Sequence, residues 1–411
     1  MSLFLLVLYF ISLPINLAKT FIVPSAYVNG LLVDYLAPKI YISQIILVFL
    51  IFVLSKAKKK IALSFNVENV FITFGLYIYL GLSVFSVFVA TNKVSAAYSI
   101  FVLVLNLVSL IILSYYFRND RERIFKILTN TLSYVVVFLS ILGIAQFFLQ
   151  SSVFNNYLLF GEIPYTYSTY GIAKENLFGI TKIPAYSTFP HPNVFGAFLA
   201  IVLIWIFYVR KFAVFILGCI ALLLTFSVGS IFTLLFGVIA LEAIRNFGKK
   251  AVILSLLAVT TLSASGFVFP YFSKILDFKT LIVRESLQGS ALQVIENSYL
   301  TGIGVNNFLM YVDSYHRVPD LIRFTQPVHN IFLLLFAEIG IFGLIGFIFF
   351  VIGLLLLLLK QSFGVPAVLF ISILQFIILG SFDHHVLTII QTNLLFWLTA
   401  SLALSYTYTN D

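Results

Sequence analysis

The sequence predicts an all-α, polytopic transmembrane helical protein of about twelve spans, built as a single integral membrane domain over 1–411. Three observations carry this. Hydrophobic residues make up 61% of the chain and charged residues 9%, with a mean hydropathy of +1.10, where a soluble domain carries about 25% charged residues. The apolar runs are continuous and many approach the ~20 residues that cross a bilayer as a helix; a membrane barrel would show alternating segments of roughly ten. The breaks between runs alternate between short basic stretches and longer ones rich in Gly, Pro, Tyr, Asn and His.

The expected spans are 2–17, 40–54, 70–90, 96–117, 127–149, 192–209, 212–226, 231–244, 251–269, 341–359, 364–381 and 387–404. The first has no charged residue before its apolar run and no small-residue cleavage site after it, so it reads as a retained span rather than a cleaved signal peptide. The basic breaks are Lys56 with Lys58, Lys59 and Lys60; Arg118, Arg121, Arg123 and Lys126; Arg210 and Lys211; Arg245, Lys249 and Lys250; and Lys360. They hold 14 Lys and Arg and, with the C-terminal tail, 5 Asp and Glu, whereas the other breaks hold 10 of each. The whole formal charge of +9 therefore falls on one side. Basic loops stay cytoplasmic, which puts both termini inside. The lysine runs read as topology signals and contacts for membrane lipids, with no nucleic-acid role. Cys219 is the single cysteine and excludes an intramolecular disulfide.

All five histidines, His191, His316, His329, His384 and His385, then lie on the outer side. The first outer loop, 18–39, contains Tyr27-Val28-Asn29-Gly30 and Asp34-Tyr35. The second, 150–191, carries Glu162, Lys174, Glu175 and Lys182 and runs into His191-Pro192-Asn193, prolines that suit a helix start. Spans seven and eight are short and flank Thr225-Phe226-Ser227-Val228-Gly229-Ser230; either they tilt little, or this turn dips into the bilayer to line a polar cavity. The third outer loop, 271–340, is the longest polar interruption and is expected to contain short helices and the working part of the molecule. It holds Arg284, the turn Thr301-Gly302-Ile303-Gly304, a basic patch at Arg317 and Arg323, and Pro327-Val328-His329-Asn330. Ile331–Ala337 is too short to span, so a short helix is expected at the outer interface, a break at Glu338 and Gly340, and the true span from Ile341. The last hairpin brings Asp383-His384-His385 to the outer face. Trp205 and Trp397 suit interface anchoring and core packing equally.

Arg284 precedes Leu287, Ala291, Leu292, Val294 and Ile295, an apolar face at helical spacing, and is expected at a helix start. Free N–H groups and the dipole there favour phosphate, and a guanidinium matches phosphate oxygens with a planar, permanent charge; a salt bridge to Glu285, Glu296 or Asp277 is the structural alternative. His329, where polar loop meets apolar helix, suits acid–base work or a phosphate contact, with Asn330 to orient it, or else a capping role. Neighbouring helical residues lie about 100° apart, so His384 and His385 do not chelate together, and no metal or cofactor is expected. Gly302-Ile303-Gly304 lacks the third glycine of a dinucleotide fingerprint and reads as a turn. Scarce mid-span charge weighs against an ion-coupled carrier.

The ordered set of His191-Pro192-Asn193, Thr225-Phe226-Ser227, Arg284 with Ala291-Leu292, Thr301 to Phe308, Gln326-Pro327-Val328-His329-Asn330 into Ala337 to Gly340, and Phe382-Asp383-His384 with Gln391 and Phe396-Trp397 resembles the O-antigen ligase and polymerase superfamily. The resemblance covers roughly 185–400, and the first half only by topology. It implies a multi-span, metal-independent glycosyltransferase of the cytoplasmic (inner) membrane. Such an enzyme takes a glycan from a polyprenyl diphosphate donor on the outer leaflet and joins it to a glycan, lipid or protein acceptor. It implies Arg284 as a diphosphate contact and His329 as the essential histidine, with Arg323 a second arginine. Family members often carry Arg after the serine matching Ser227; Val228 stands here, so Arg317, Arg323 or Lys182 must take that place, or the donor differs. Arg284 and Arg323 are expected to hold the diphosphate. His329 then acts as base, or as a third phosphate contact with Glu338 or Asp383 as base. His191, Asn330 and Ser227 complete the expected substrate contacts, and Tyr165, Tyr167, Tyr170 and Tyr186 suit sugar stacking or an interfacial belt. The rival reading is a lipid-linked oligosaccharide flippase or other polysaccharide transporter.

Overall fold

A computed structural model gives the fold and describes residues 1–56, 67–177, 179–268, 270, 279–312, 326–361 and 363–407. The chain is all-α. In order the helices are α1 (Ser2–Ser12), α2 (Ile42–Ser55), α3 (Val67–Val89), α4 (Lys93–Phe117), α5 (Arg121–Leu149), α6 (Pro192–Tyr208) and α7 (Phe212–Leu223). Then come α8 (Val228–Phe247), α9 (Lys249–Val268), α10 (Lys279–Ser298), α11 (Ile331–Leu359), α12 (Val365–Phe382), α13 (His385–Thr388) and α14 (Ile390–Leu404). Each expected span falls on one of these helices. Among the described residues, seven helices (α3, α4, α5, α8, α9, α11 and α12) are long and apolar enough to cross a membrane, and α1, α2, α6 and α7 are apolar but shorter. Of the two spans expected to be short, only α7 is; α8 runs for 20 residues because the Val228-Gly229-Ser230 end continues as helix.

Helix α6 is the axis of the bundle: Val194 through Ile206 are buried. Gln375 of α12 donates to the carbonyls of Ala200 on α6 (3.1 Å) and Thr233 on α8 (3.0 Å), and Trp205 Nε1 donates to Ser372 Oγ at 2.7 Å. Helices α3 and α11 touch backbone to backbone at Gly75 and Gly346; a Cβ at Gly75 would lie 2.5 Å from the Phe350 nitrogen. Small residues that admit such contact are a usual device where apolar solvent offers no drive for association.

The two ends of the bundle differ. At one, Arg121 lies 4.8 Å from the Tyr406 ring and Arg245 5.3 Å from that of Tyr208, so basic breaks gather there. The other end carries a roof made by the first outer loop. Strand β1 (Ala18–Thr20) pairs antiparallel with β4 (Lys39–Tyr41), and β2 (Tyr27–Val28) with β3 (Leu31–Leu32). Asn29 and Gly30 both take positive φ, 49° and 82°, as a two-residue hairpin turn requires. The roof is held down by Asn92 Nδ2 on the Ser25 carbonyl (2.6 Å) and by the Tyr98 hydroxyl on the Lys39 carbonyl (2.6 Å).

The break in α11 sets the geometry beneath the roof. A straight 29-residue helix would reach about 44 Å, well beyond the ~30 Å hydrocarbon core. Gly340 (φ 73°, ψ 179°) interrupts it, so Ile331 to Ile339 forms the expected short helix and the span starts at Ile341. A break leaves backbone groups to be satisfied within the protein. The Thr301-Gly302-Ile303-Gly304 turn supplies partners: Ile303 N donates to Ala337 O (3.0 Å), Gly304 N to Glu338 O (2.9 Å), and Ile341 N to Tyr299 O (2.9 Å). A Cβ at Gly340 would stand 2.1 Å from Leu300 O. Gly340→Ala is therefore expected to cost about 1–3 kcal/mol from the conformation alone, with the collision adding to it. Its signature is a lowered thermal midpoint and less monodisperse protein in detergent. Gly289→Ala, whose Cβ meets nothing within 4 Å, is the control and should leave both unchanged.

Candidate functional site

Beneath the roof several helix ends converge. Pro192 at the first position starts α6, with His191 as its N-cap and His191 Nδ1 accepting from Asn193 N at 3.2 Å. Asn330 is the N-cap of α11: its Oδ1 accepts from Phe332 N (2.9 Å) and Leu333 N (3.1 Å), and its Nδ2 donates to Ser381 O (3.1 Å). That double tie fixes the backbone at His329 against the end of α12. There Asp383 is extended, and its Oδ1 accepts from the His384 amide at 2.7 Å. Arg284 comes from the second turn of α10 rather than from a helix start, so the free N–H groups expected beside it are absent. Its Nη1 donates to Phe382 O at 2.9 Å.

The side chains gathered this way are His191, Arg284, His329, Asp383, His384 and His385. The rings of His329 and His384 are 5.3 Å apart, and Tyr35 of the roof meets His384 edge-on at 5.5 Å. Asn193 Nδ2 donates to Asp383 Oδ2 at 3.3 Å. Burial would raise the Asp383 carboxyl, but His385, His329, His384 and Arg284 outweigh it and hold it below the usual carboxylate range. Burial and then the Arg284 guanidinium push His329 well below the ordinary imidazole value of 6.5, with Asp383 opposing. Burial lowers His384 to about 4, and His191 and His385 in the same direction. The cluster thus presents neutral imidazoles around one carboxylate and one guanidinium. His329 Nδ1 and His385 Nδ1 are buried and carry no hydrogen bond.

His329 borders two spaces. On one side is a space of about 10 Å³, room for about one water, shared with Arg284, Gln288 and Phe382. On the other a cavity of about 580 Å³ opens under the roof and descends between α3, α4, α11 and α14, within the size range of small-molecule sites. His191, Asp383, His384 and His385 line its mouth together with Tyr35, Lys39 and Tyr157. Lys39 is paired with Asp34.

Other expected residues are placed differently. Glu338 also lines the cavity, but its Oε1 accepts from Phe308 N at 3.1 Å, and the Asn306 and Asn307 amides turn to it as well. It pins the turn after Gly304. Ser227 is buried, shares a hydrogen bond with Ser230 Oγ at 2.8 Å, and packs on Gly196 of α6; it supports the helix that His191 caps and does not line the cavity. Lys182 sits on β6 (Ile180–Lys182), paired with β5 (Glu175–Leu177), away from the cluster. Arg317, Arg323 and His316 lie outside the described residues. Tyr165 and Tyr186 pack on each other at 5.3 Å, while Tyr167 and Tyr170 are exposed on the loop. The tyrosines facing the cavity are instead Tyr35, Tyr41, Tyr79, Tyr98 and Tyr157. The Asn29-Gly30 hairpin signal was the one sequence hint that 18–39 folds into a structure able to cover a site.

The ligand atoms of His329, Asp383 and His384 lie within 4.8 Å of one another, a grouping with the chemistry to hold a divalent cation. His385 is adjacent in sequence but outside this grouping, and His329 arrives from 55 residues earlier in the chain, a convergence that adjacency does not reveal. Asn306 and Asn307 were also undervalued. Asn306 Nδ2 donates to Ser95 Oγ (2.6 Å) and Tyr35 O (3.0 Å), and Asn307 Oδ1 accepts from Asn92 N (2.6 Å), which locks roof, α4 and α11 together.

A family model described as O-antigen ligase matches residues 193–348. The matched stretch contains Arg284, His329, Asn330 and Glu338, while Asp383, His384 and the roof lie beyond it. The match supports membership of the O-antigen ligase and polymerase superfamily, and with it an O-antigen ligase-type membrane enzyme acting on glycan and lipid-linked substrates. Among curated proteins, none matches the chain.

Proposed function

We propose, taking that superfamily membership as premise, that the protein is a glycosyltransferase moving a glycan from a polyprenyl diphosphate donor to an acceptor hydroxyl. The transfer takes place at the non-cytoplasmic face of the inner membrane, with both termini inside. The observation that carries this is the pairing of Arg284 with His329, one permanent cation beside one neutral imidazole, at the junction of a small cationic pocket and a large cavity.

The diphosphate is a good leaving group, so the protein needs mainly to stabilise charge and accept a proton. Arg284 meets the diphosphate oxygens. The bond between the anomeric carbon and the phosphate oxygen breaks, and its electron pair leaves with the polyprenyl diphosphate. The acceptor oxygen forms the new glycosidic bond and gives its proton to His329. The arriving diphosphate, opposite in charge to Arg284, raises the basicity of His329 toward a useful value when substrate is bound. Asp383 holds the cluster's charge balance and orients Asn193. The transporter reading has weaker support, because the ionisable groups gather at one end of the cavity rather than along a path through the bundle.

Purified protein supplied with polyprenyl diphosphate oligosaccharide, with and without a separate acceptor, tests this. A ladder of repeat lengths from donor alone marks a polymerase, and product only with a distinct acceptor marks a ligase. Movement of donor across a vesicle with no new glycosidic bond sinks the proposal. Chelation is expected to leave transfer within about twofold of the untreated rate, since a bidentate guanidinium can grip the diphosphate oxygens without a metal. An activity lost to EDTA and restored by a divalent cation would assign the His329, Asp383 and His384 grouping to a metal.

A further inference from the structure

The main cavity changes character with depth. Its mouth carries Asp34, Lys39, Asp383 and the histidines, whereas among the described residues the part within the bundle has no ionisable carboxylate or cation beyond Glu338, which is committed to backbone amides. Tyr98, Ser99, Val102, Leu103 and Asn106 line it from one face of α4, a descent of about 12 Å from Tyr98 to Asn106 at the helical rise. Opposite stand Ile390, Asn393 and Trp397 of α14. Asn106 Nδ2 donates to Asn393 Oδ1 at 2.8 Å, and Asn106 Oδ1, buried, has no hydrogen-bond partner.

We propose that this deep, uncharged part is the subsite for the terminal sugar of the acceptor, with the orphaned Asn106 Oδ1, held by the Asn393 side chain, accepting from one of its hydroxyls and Trp397 facing its ring. The inference rests on the glycosyltransferase reading and says which substrate goes where. A diphosphate finds no cation here. A polyprenyl tail would leave the buried Asn106 Oδ1 without a partner, which is unfavourable for an amide oxygen, whereas Asn393 is already bonded to Asn106 and to the Val386 and Leu387 carbonyls. A sugar supplies both hydroxyls and an apolar ring face. Position separates acceptor from donor. Arg284 lines the small pocket on one side of His329 and the shaft lies on the other. With the diphosphate at Arg284, an acceptor oxygen coming up from the shaft approaches the anomeric carbon from the side opposite the leaving group, past the imidazole that takes its proton.

The two tryptophans make a direct test possible. Trp205 is buried on Phe125 and bonded to Ser372, so the difference in emission between the intact protein and Trp397→Phe reports the shaft. The probes are glucose, galactose, N-acetylglucosamine and their disaccharides, against inorganic pyrophosphate and farnesol. At least one sugar is expected to change Trp397 emission saturably, with affinity retained in Arg284→Ala and weakened at least tenfold in Asn106→Leu and Asn393→Leu. Leu103→Phe narrows the shaft without removing a polar group and should weaken the same response, which covers the case of an Asn106 variant that does not fold. No sugar response, an unchanged response in all three shaft variants, or saturation by farnesol instead would overturn the assignment. Sugar binding that persists in a protein without transfer activity would count against the proposed reaction while leaving the subsite standing.

Discussion

Arg284→Ala is expected to lower glycan transfer by about 10²–10³-fold, the loss seen when one preorganised donor to a developing oxyanion is removed, with normal expression and a thermal midpoint lowered only modestly by the lost bond to the Phe382 carbonyl. The guanidinium has two jobs in the structure. One Nη holds the Phe382 carbonyl ahead of Asp383, and the proposal gives the remaining donors to the diphosphate. Arg284→Lys separates them. It keeps the charge but loses the fork that grips two oxygens at once, so it should recover only part of the rate. The rate should fall with unchanged acceptor binding, read from Trp397 emission. Wild-type transfer in folded Arg284→Ala removes the mechanism.

His329→Ala should cost about 10²–10⁴-fold, the usual contribution of a positioned general base. Its pH signature is as informative as its size. Burial and Arg284 depress this imidazole well below 6.5, so the basic form persists as the medium is acidified. Transfer at limiting donor, which reports the substrate-free protein, should stay level from pH 8 down past 6.5 and fall only below that, as protons reach the ring. Arg284→Ala removes one depressing charge, so its residual activity should begin to fall at a higher pH. Asp383→Asn removes the one charge that raises the ring and should move the fall lower still. A pH profile identical in wild type and both variants would mean that His329 is not the group being titrated.

The helices were legible because long uninterrupted apolar runs have one solution in a bilayer. The bend at Gly340 was legible too, since a charged Glu338 and a glycine inside hydrocarbon sequence announce a place where backbone must find new partners. Arg284 and His329 stood out as polar groups at the edges of apolar runs. What sequence spacing could not carry was convergence. His329 and His384 meet only because Asn330 ties α11 to the end of α12. Ser227 looked like a ligand contact, yet its hydroxyl is spent on Ser230 and its Cβ on Gly196. Tyr165 and Tyr186 suited sugar stacking or an interfacial belt by residue type, and they pack on each other at a tilt as a small core. Asn106 gave no signal at all, because a single amide in a span is common and only the cavity beside it gives it meaning.

The covering of the cavity by residues 18–41 has an evolutionary consequence. Arg284, His329, Asp383, His384 and His385 sit more than two hundred positions further along the chain, and the covering meets them at the edge of Tyr35 on His384, with further ties running to the Asn306 and Asn92 side chains and the Tyr98 hydroxyl. Such a lid can drift, lengthen or be exchanged while the machinery under it keeps its shape. Divergent lineages would then differ most in that amino-terminal segment, and a graft of it between relatives should change what is admitted while leaving the reaction intact.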